Sequence, residues 1–271
     1  MNKKMGYYPG CTLKSTAYEY DQSVRAVYTA LDIGLEEVPD WSCCGASSAH
    51  ATNASLADSL VSRNLVLAET AGFNEMVVPC AACYNLFKRA SLKTRQGHDR
   101  EVKVVHPLEW LSQPKILAEL SECVVKPLTG LKVVTYYGCL LTRPSSIAFD
   151  NTEYPVSMDK ILQTVGVEVK KWSYKVDCCG ASLTLARPEV VAKIIANFVK
   201  VAVRAGAEAI VTACPLCQSN LDMRQGNVPN KMPIFYFSEL IGVSFGDPAA
   251  GKWLARHIES PVPLLERLNL L

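Results

Sequence analysis

The sequence predicts an α/β protein of two pseudo-twofold-related halves, each a parallel sheet with helices and each carrying one copy of the same cysteine motif. Three observations predict it. The stretch Cys43-Cys44-Gly45-Ala46-Ser47 returns letter for letter as Cys178-Cys179-Gly180-Ala181-Ser182. Each copy has a lone cysteine upstream, behind an aromatic-rich strand (Tyr7-Tyr8-Pro9-Gly10-Cys11, then Tyr136-Tyr137-Gly138-Cys139), and a Cys-x-x-Cys downstream (Cys80-Ala81-Ala82-Cys83, then Cys214-Pro215-Leu216-Cys217). Finally, short apolar runs alternate with segments of helical period through both halves, the pattern of strands joined by crossover helices.

Residues 4–9 read as a strand entering the first cysteine loop, 18–31 as a helix and 35–38 as a strand aimed at the first Cys-Cys-Gly. The helical stretch 55–71 carries Leu56, Leu60, Asn64 and Leu67 near one face, with Asn53 or Ser55 as N-cap and Gly72 as its stop. A buried-type strand at 76–78 delivers Cys80, and a helix follows at 84–90. The polar stretch 94–100 reads as a loop, 102–105 as a strand and 107–120 as mostly helical. The scheme breaks near Pro127 and Gly130, which divides the chain into halves 1–127 and 128–271. The second half repeats the first, with strands at 131–136, 167–172, 209–212 and 233–237 and a helix at 159–165. A further helix has Pro188 at its first position, runs to Arg204 and is closed by Gly206. The stretch 252–271, apolar with two prolines, either packs back on the core or docks a partner.

At 271 residues and 49% hydrophobic, the chain has material for a large core. A net charge of +2 and the lack of a long basic run exclude nucleic acid as the expected partner. Polar or charged residues interrupt every apolar stretch before about 18 residues, so no transmembrane segment is expected. No apolar stretch of secretory type follows Met1-Asn2-Lys3-Lys4, and the expected location is cytoplasmic. Thiols stay reduced there, so many spaced cysteines argue for metal or redox work over structural disulfides.

Ten of the eleven cysteines belong to the repeat. A Cys-x-x-Cys alone is shared by zinc sites and redox dithiols. The adjacent pair discriminates, because neighbouring side chains diverge and suit a group several ångströms across better than a single zinc. Gly45 and Gly180 permit the tight turn beside it. Five thiolates also exceed the four of a tetrahedral zinc or an ordinary cubane. Two zinc sites using four cysteines each, or a metal-free dithiol pair, remain the alternatives. Cys123 has no counterpart and reads as a small apolar residue.

The lone Cys, Cys-Cys-Gly and Cys-x-x-Cys, present twice, resemble the CCG-domain family and, more narrowly, the B subunit of heterodisulfide reductases. The matching stretches YYPGC, CCGAS, PCAAC, YYGCLLTRP, the second CCGAS and ACPLCQSNLD span Tyr7 to Asp222. The resemblance implies two non-cubane 4Fe–4S clusters, each a 3Fe part fused to a 2Fe part. It implies Cys11, Cys43, Cys44, Cys80 and Cys83 as ligands of one, and Cys139, Cys178, Cys179, Cys214 and Cys217 as ligands of the other. It further implies a disulfide cleaved or formed between the clusters. Electrons would come singly from a ferredoxin-like subunit of C-subunit type, with a flavoprotein subunit in the same complex. Relatives in succinate or fumarate reductases and in sulfur-oxidation complexes carry the same motif pairs. A non-catalytic electron-transfer or docking subunit is therefore the competing expectation.

Lys14 follows Cys11 by three and Arg143 follows Cys139 by four. Each is either a grip for an anionic end of the disulfide substrate or a solvated loop charge. His50, just past the first Cys-Cys-Gly, is either a proton donor or a surface histidine. His106, between a strand and Pro107, reads as structural, and His98 and His257 carry no signal. Tyr7, Tyr8, Tyr136 and Tyr137 read as strand core and shielding. Equivalent loops of a duplicated unit gather near the pseudo-twofold axis, so the two CCGAS loops are expected to face one another.

Overall fold

The computed structural model describes residues 3–94, 102–226 and 228–271. The loop expected at 94–100 falls outside these residues from position 95 on, as does His98. Each half holds four parallel strands in the same spatial order. In the first, β1 (Lys3–Tyr7), β2 (Ile33–Glu37), β3 (Glu75–Val77) and β4 (Lys103–Val105) lie as β2-β1-β3-β4. In the second, β5 (Lys132–Tyr136), β6 (Glu168–Val169), β7 (Ala209–Thr212) and β8 (Ile234–Tyr236) lie as β6-β5-β7-β8. Central pairs such as Tyr7 with Val77 and Tyr136 with Thr212 set equivalent registers. Helices cover the sheets, so the strands are apolar runs: all four residues of β7 are buried.

In the first half the helices are α1 (Gly10–Leu13), α2 (Tyr18–Ala30), α3 (Ser48–Thr52), α4 (Ala54–Thr70), α5 (Ala81–Thr94), α6 (Pro107–Leu111) and α7 (Pro114–Glu122). In the second they are α8 (Ser157–Thr164), α9 (Pro188–Arg204), α10 (Pro215–Met223), α11 (Phe237–Ser244), α12 (Ala250–Leu254) and α13 (Val262–Arg267). Asn53 is the N-cap of α4, its side chain accepting from Leu56 N at 3.0 Å. The buried stripe of α4 differs from the expected one. It runs through Ala57, Val61, Asn64, Leu65 and Ala68, and Leu56 is exposed. Asn64 turns it: its amide holds both the N–H and the carbonyl of Ser42, at 2.9 and 3.0 Å, and so faces the first Cys-Cys-Gly. Strand β6 is shorter than expected because Trp172 leaves the ladder and buries its ring, donating to Thr135 O at 2.8 Å.

The halves interlock. Helix α2 packs on α11, and α8 packs on α6 and α7, so each first crossover helix meets a helix from the far end of the other half. Helices α6 and α11 open alike, with the third-position glutamate accepting the N-cap N–H, Glu109 from His106 and Glu239 from Tyr236; in α6 the His106 ring completes a capping box. Across the junction Tyr20 stacks on Tyr236 at 4.2 Å, and Ser23 bonds Ser238 at 2.7 Å. The C-terminal stretch packs back, burying Trp253, Leu254, Leu265 and Leu270. Among the described residues no helix is long and apolar enough to cross a membrane.

Candidate functional site

The repeat cysteines collect beyond the carboxyl ends of three adjacent strands in each sheet, where open α/β sheets bind ligands. Cys11 and Cys139 follow β1 and β5, the adjacent pairs follow β2 and β6, and the Cys-x-x-Cys pairs follow β3 and β7. The sulfurs join in the same order in both halves. Cys11 meets Cys43 at 3.7 Å, Cys44 meets Cys83 at 3.1 Å, and Cys83 bonds Cys80. In the second half Cys139 bonds Cys178, Cys179 meets Cys217 at 3.7 Å, and Cys217 bonds Cys214. Cys44, Cys80, Cys83, Cys179, Cys214 and Cys217 are buried, whereas Cys11, Cys43 and Cys178 are exposed and Cys139 is half-buried. Each set therefore has a buried inner edge and an open outer one.

Backbone and aromatic groups hold these positions, again in duplicate. Gly45 and Gly180 lie in the left-handed region at φ 76° and 77°. Their N–H groups turn back toward Cys43 Sγ and Cys178 Sγ, at 3.5 and 3.3 Å. The carbonyl before each Cys-Cys-Gly accepts a tyrosine hydroxyl: Tyr8 to Ser42 O at 2.7 Å and Tyr136 to Asp177 O at 2.6 Å. Phe87 and Trp41 pack edge-on against Tyr8, and Trp172 and Phe198 pack around Tyr136. Tyr7, whose hydroxyl donates to Asp21, and Tyr137, which accepts from Met158 N, are buried core, as expected of strand residues. Asn220 steadies the second loop through Cys179 O at 2.8 Å.

The thiols set one another's acidity. Hydrogen bonds from Cys83 and Cys217 bring Cys44 and Cys179 down to about 7, and one from Cys139 brings Cys178 down to about 6. The donors Cys83, Cys217 and Cys139 are correspondingly held well above the usual thiol range. Cys80 is lowered by its bond from Cys83 and by the amides of Ala82 and Cys83 in the first turn of α5. The influences that dominate these thiols are other cysteines, burial, backbone amides and, at Cys179, the Asn220 side chain, with no Lys, Arg or His among them. Deprotonating all five thiols at one sheet end would need cationic compensation, which a bound metal group would supply as the shared protons leave. Among the described residues no three of His, Cys, Asp and Glu converge on one metal ion. A chain of sulfur contacts fits a group several atoms across better than a mononuclear ion.

The other sequence candidates stand at the rim. Lys14 is ion-paired with Glu37 at 2.7 Å, and Glu37 also takes Arg25 and the Trp41 indole. Arg143 donates its backbone N–H to Cys139 O at 2.9 Å, and its guanidinium grips Glu153 at 2.6 and 3.3 Å. His50 is exposed, its N–H tied to Gly45 O at 2.9 Å. His106 is fully buried and structural: burial lowers it to about 3, so it is neutral. Sequence reasoning missed His257. It lies buried between Glu239, 2.9 Å from Nε2, and Gln218, the neighbour of Cys217. Burial pulls its pKa down, but the Glu239 carboxylate outweighs this and lifts it to about 9. It also missed Lys175, fully buried against Asp159 and Pro155 O beneath the second Cys-Cys-Gly. Partners that distant in sequence leave no local pattern.

A site made of thiols alone, built twice at equivalent sheet ends, defines a duplicated cysteine-rich α/β protein. The chain belongs to the CCG cysteine-rich domain family, whose model matches residues 5–88 and again 133–222. It is 29% identical to the 8-methylmenaquinol:fumarate reductase membrane anchor subunit of Wolinella succinogenes, over 92% of this chain and 94% of that one. It is 26% identical to the B subunit of the ferredoxin/F(420)H(2)-dependent CoB-CoM heterodisulfide reductase of Methanosarcina acetivorans, over 90% of this chain and 89% of that one. A protein of Archaeoglobus profundus that resembles the heterodisulfide reductase B subunit is 23% identical, over 90% and 92%. Among solved structures, a protein from Helicobacter pylori shares the fold with a TM-score of 0.73 at 10% identity, covering 96% of this chain and 52% of that one.

Proposed function

We propose that this chain is the iron–sulfur subunit of a heterodisulfide reductase-like complex, an oxidoreductase that cleaves or forms a disulfide between its two cysteine sites. The observation that carries the reading is the five-sulfur set, joined in one order and built twice. Donors that are all thiols suit iron–sulfur ligation. Cys11, Cys43, Cys44, Cys80 and Cys83 would hold one non-cubane 4Fe–4S cluster, and Cys139, Cys178, Cys179, Cys214 and Cys217 the other. Such clusters, when bound, supply electrons one at a time.

The chain's own residues do the rest. The buried edge around Tyr8, Phe87, Tyr136 and Phe198 excludes water, and the open edge at Cys11, Cys43 and Cys178 admits substrate. Reducing a disulfide takes two electrons and two protons, breaks one S–S bond and yields two thiols. Two sites that each pass one electron meet that count. Lys14 and Arg143 exchange Glu37 and Glu153 for the anionic ends of the substrate, and His50 carries a proton to a departing sulfur. A ferredoxin-like iron–sulfur subunit supplies the electrons, with a flavoprotein behind it, in the cytoplasm.

The second reading is a non-catalytic electron-transfer or docking subunit of a succinate/fumarate reductase-like or sulfur-oxidation complex. The 29% identity to a fumarate reductase subunit favours it. Protein prepared without oxygen and reconstituted with iron and sulfide is expected to carry about eight irons and equivalent acid-labile sulfide. Full zinc occupancy without sulfide would overturn both readings. Turnover of an anionic heterodisulfide by the loaded protein supports the first reading, and its absence alongside rapid electron exchange with a donor protein supports the second.

A further inference from the structure

The backbones of the two cysteine sites meet inside the molecule. The peptide carbonyl before Cys80, Pro79 O, and the one before Cys214, Ala213 O, both accept the hydroxyl of Tyr20, at 3.4 and 3.2 Å. A second donor completes the junction. His106 Nε2 lies 2.9 Å from Pro79 O and also bonds Ala213 O. Its Nδ1 accepts Leu108 N at 3.2 Å, so the ring proton is on Nε2 and points at the carbonyls. Both side chains are wholly buried and locked by stacking, Tyr20 on Tyr236 and His106 on Phe149.

The junction departs from the internal symmetry. The equivalent of His106 at the start of α11 is Tyr236, whose hydroxyl turns to Gln218 instead. Both donors thus come from the first half, and the acceptors come one from each. Buried carbonyls need donors, and here two donors are shared between two loops that otherwise belong to separate sheets. A single hydroxyl therefore spans the peptide groups that carry the inner cysteines Cys80 and Cys214.

We propose that Tyr20 and His106 are positioning residues that hold the two Cys-x-x-Cys loops at one separation, and so set the coupling between the two iron–sulfur sites. The proposal rests on the iron–sulfur reading above. Magnetic and electron-transfer coupling both fall steeply with distance, so a junction that fixes the spacing lets two one-electron sites act on one two-electron substrate.

The test uses full-length protein loaded without oxygen, with electron paramagnetic resonance of both centres and iron and sulfide analysis. Wild type is expected to show spin–spin broadening between its centres. Tyr20→Phe, which keeps the ring and its stack, combined with His106→Leu is expected to lose that broadening at unchanged iron content, and His106→Gln to restore it. Ser23→Ala, which removes the separate buried bond to Ser238, is expected to leave it intact. Unchanged broadening in the double variant overturns the proposal. Should that variant bind no iron, Tyr20→Phe alone decides, and unchanged broadening there overturns it equally. A wild type with both centres and no interaction overturns the junction alone, whereas a wild type without iron–sulfur centres overturns the functional reading beneath it.

Discussion

Gly138 lies at φ 67°, and a Cβ there would sit 3.0 Å from Cys217 Sγ; Gly10 repeats this at φ 69° and 3.2 Å from Cys83 Sγ. A methyl at either position costs about 1–2 kcal/mol in left-handed strain and also pushes on the Cys217 or Cys83 sulfur. Gly138→Ala is expected to empty the second site and spare the first, seen as about half the wild-type iron. Gly72→Ala, at φ 81° with nothing within 4 Å of the new methyl, is expected to lower stability and keep all the iron. Two histidines shape the pH dependence of stability with opposite signs. His257 keeps its proton to about 9 in the fold, whereas an unfolded histidine loses it near 6.5. Its stabilisation is complete below pH 6.5 and disappears as pH rises toward 9, a change of roughly 3 kcal/mol. His106 is held down to about 3 by burial. The unfolded chain takes up a proton below about 6.5 that the fold refuses, so stability falls from there toward pH 3. Denaturant titrations across this range are expected to peak near 6.5, with His257→Gln flattening the alkaline limb and His106→Gln the acid one.

The elements that deliver the cysteines are short, and their termini carry the constraints. Helix α5 begins at Ala81, three residues before the expected start, so Cys83 lies in its first turn, and α10 places Cys217 likewise. The free backbone N–H groups of that first turn, those of Ala82 and Cys83, instead serve Cys80 just before the helix and help lower its thiol. Asn53 caps α4, the helix whose Asn64 holds the first Cys-Cys-Gly loop. Asn53→Ala is expected to cost about 1 kcal/mol, read as a melting temperature lower by about 2–4 °C. Asn64→Ala is expected to cost no less and, unlike the cap, to accelerate iron loss from the first site, because it strips Ser42 N–H of its partner and leaves Ser42 O to Tyr8 alone beside Cys43.

Across the whole molecule, the two cysteine sets are separate and their supports are shared. We take 1–127 and 128–271 as the two repeats. Cys44→Ser and Cys179→Ser are each expected to disturb one centre and leave the spectrum of the other. Asn85 is the exception that the interlock creates. It sits two residues after Cys83, is almost fully buried, and donates across the junction to Leu140 O at 2.8 Å and Arg143 O at 2.7 Å. Asn85→Leu leaves both carbonyls without this donor, a loss of about 1–3 kcal/mol. It is expected to speed iron release from the second site, although the residue belongs to the first half. Equal release from both sites would instead mark a general loosening of the fold.

Local pattern was sufficient for much of this. The duplicated motif, the strands that end in cysteine, the helix from Pro188 to Arg204 and the Asn53 cap all rest on spacing, caps and breakers within a few residues, and each lies where the pattern put it. The ten repeat cysteines could be sorted into two sets for the same reason. Folding in space decided the rest. It turned the stripe of α4 to suit Asn64, ended β6 early for Trp172, gave Lys14 and Arg143 the partners Glu37 and Glu153, and buried His257 and Lys175. It also brought Tyr20 to Ala213, 193 positions away. Such contacts form only when separate sheets pack, and their strength depends on distance and burial, quantities that no stretch of sequence carries by itself.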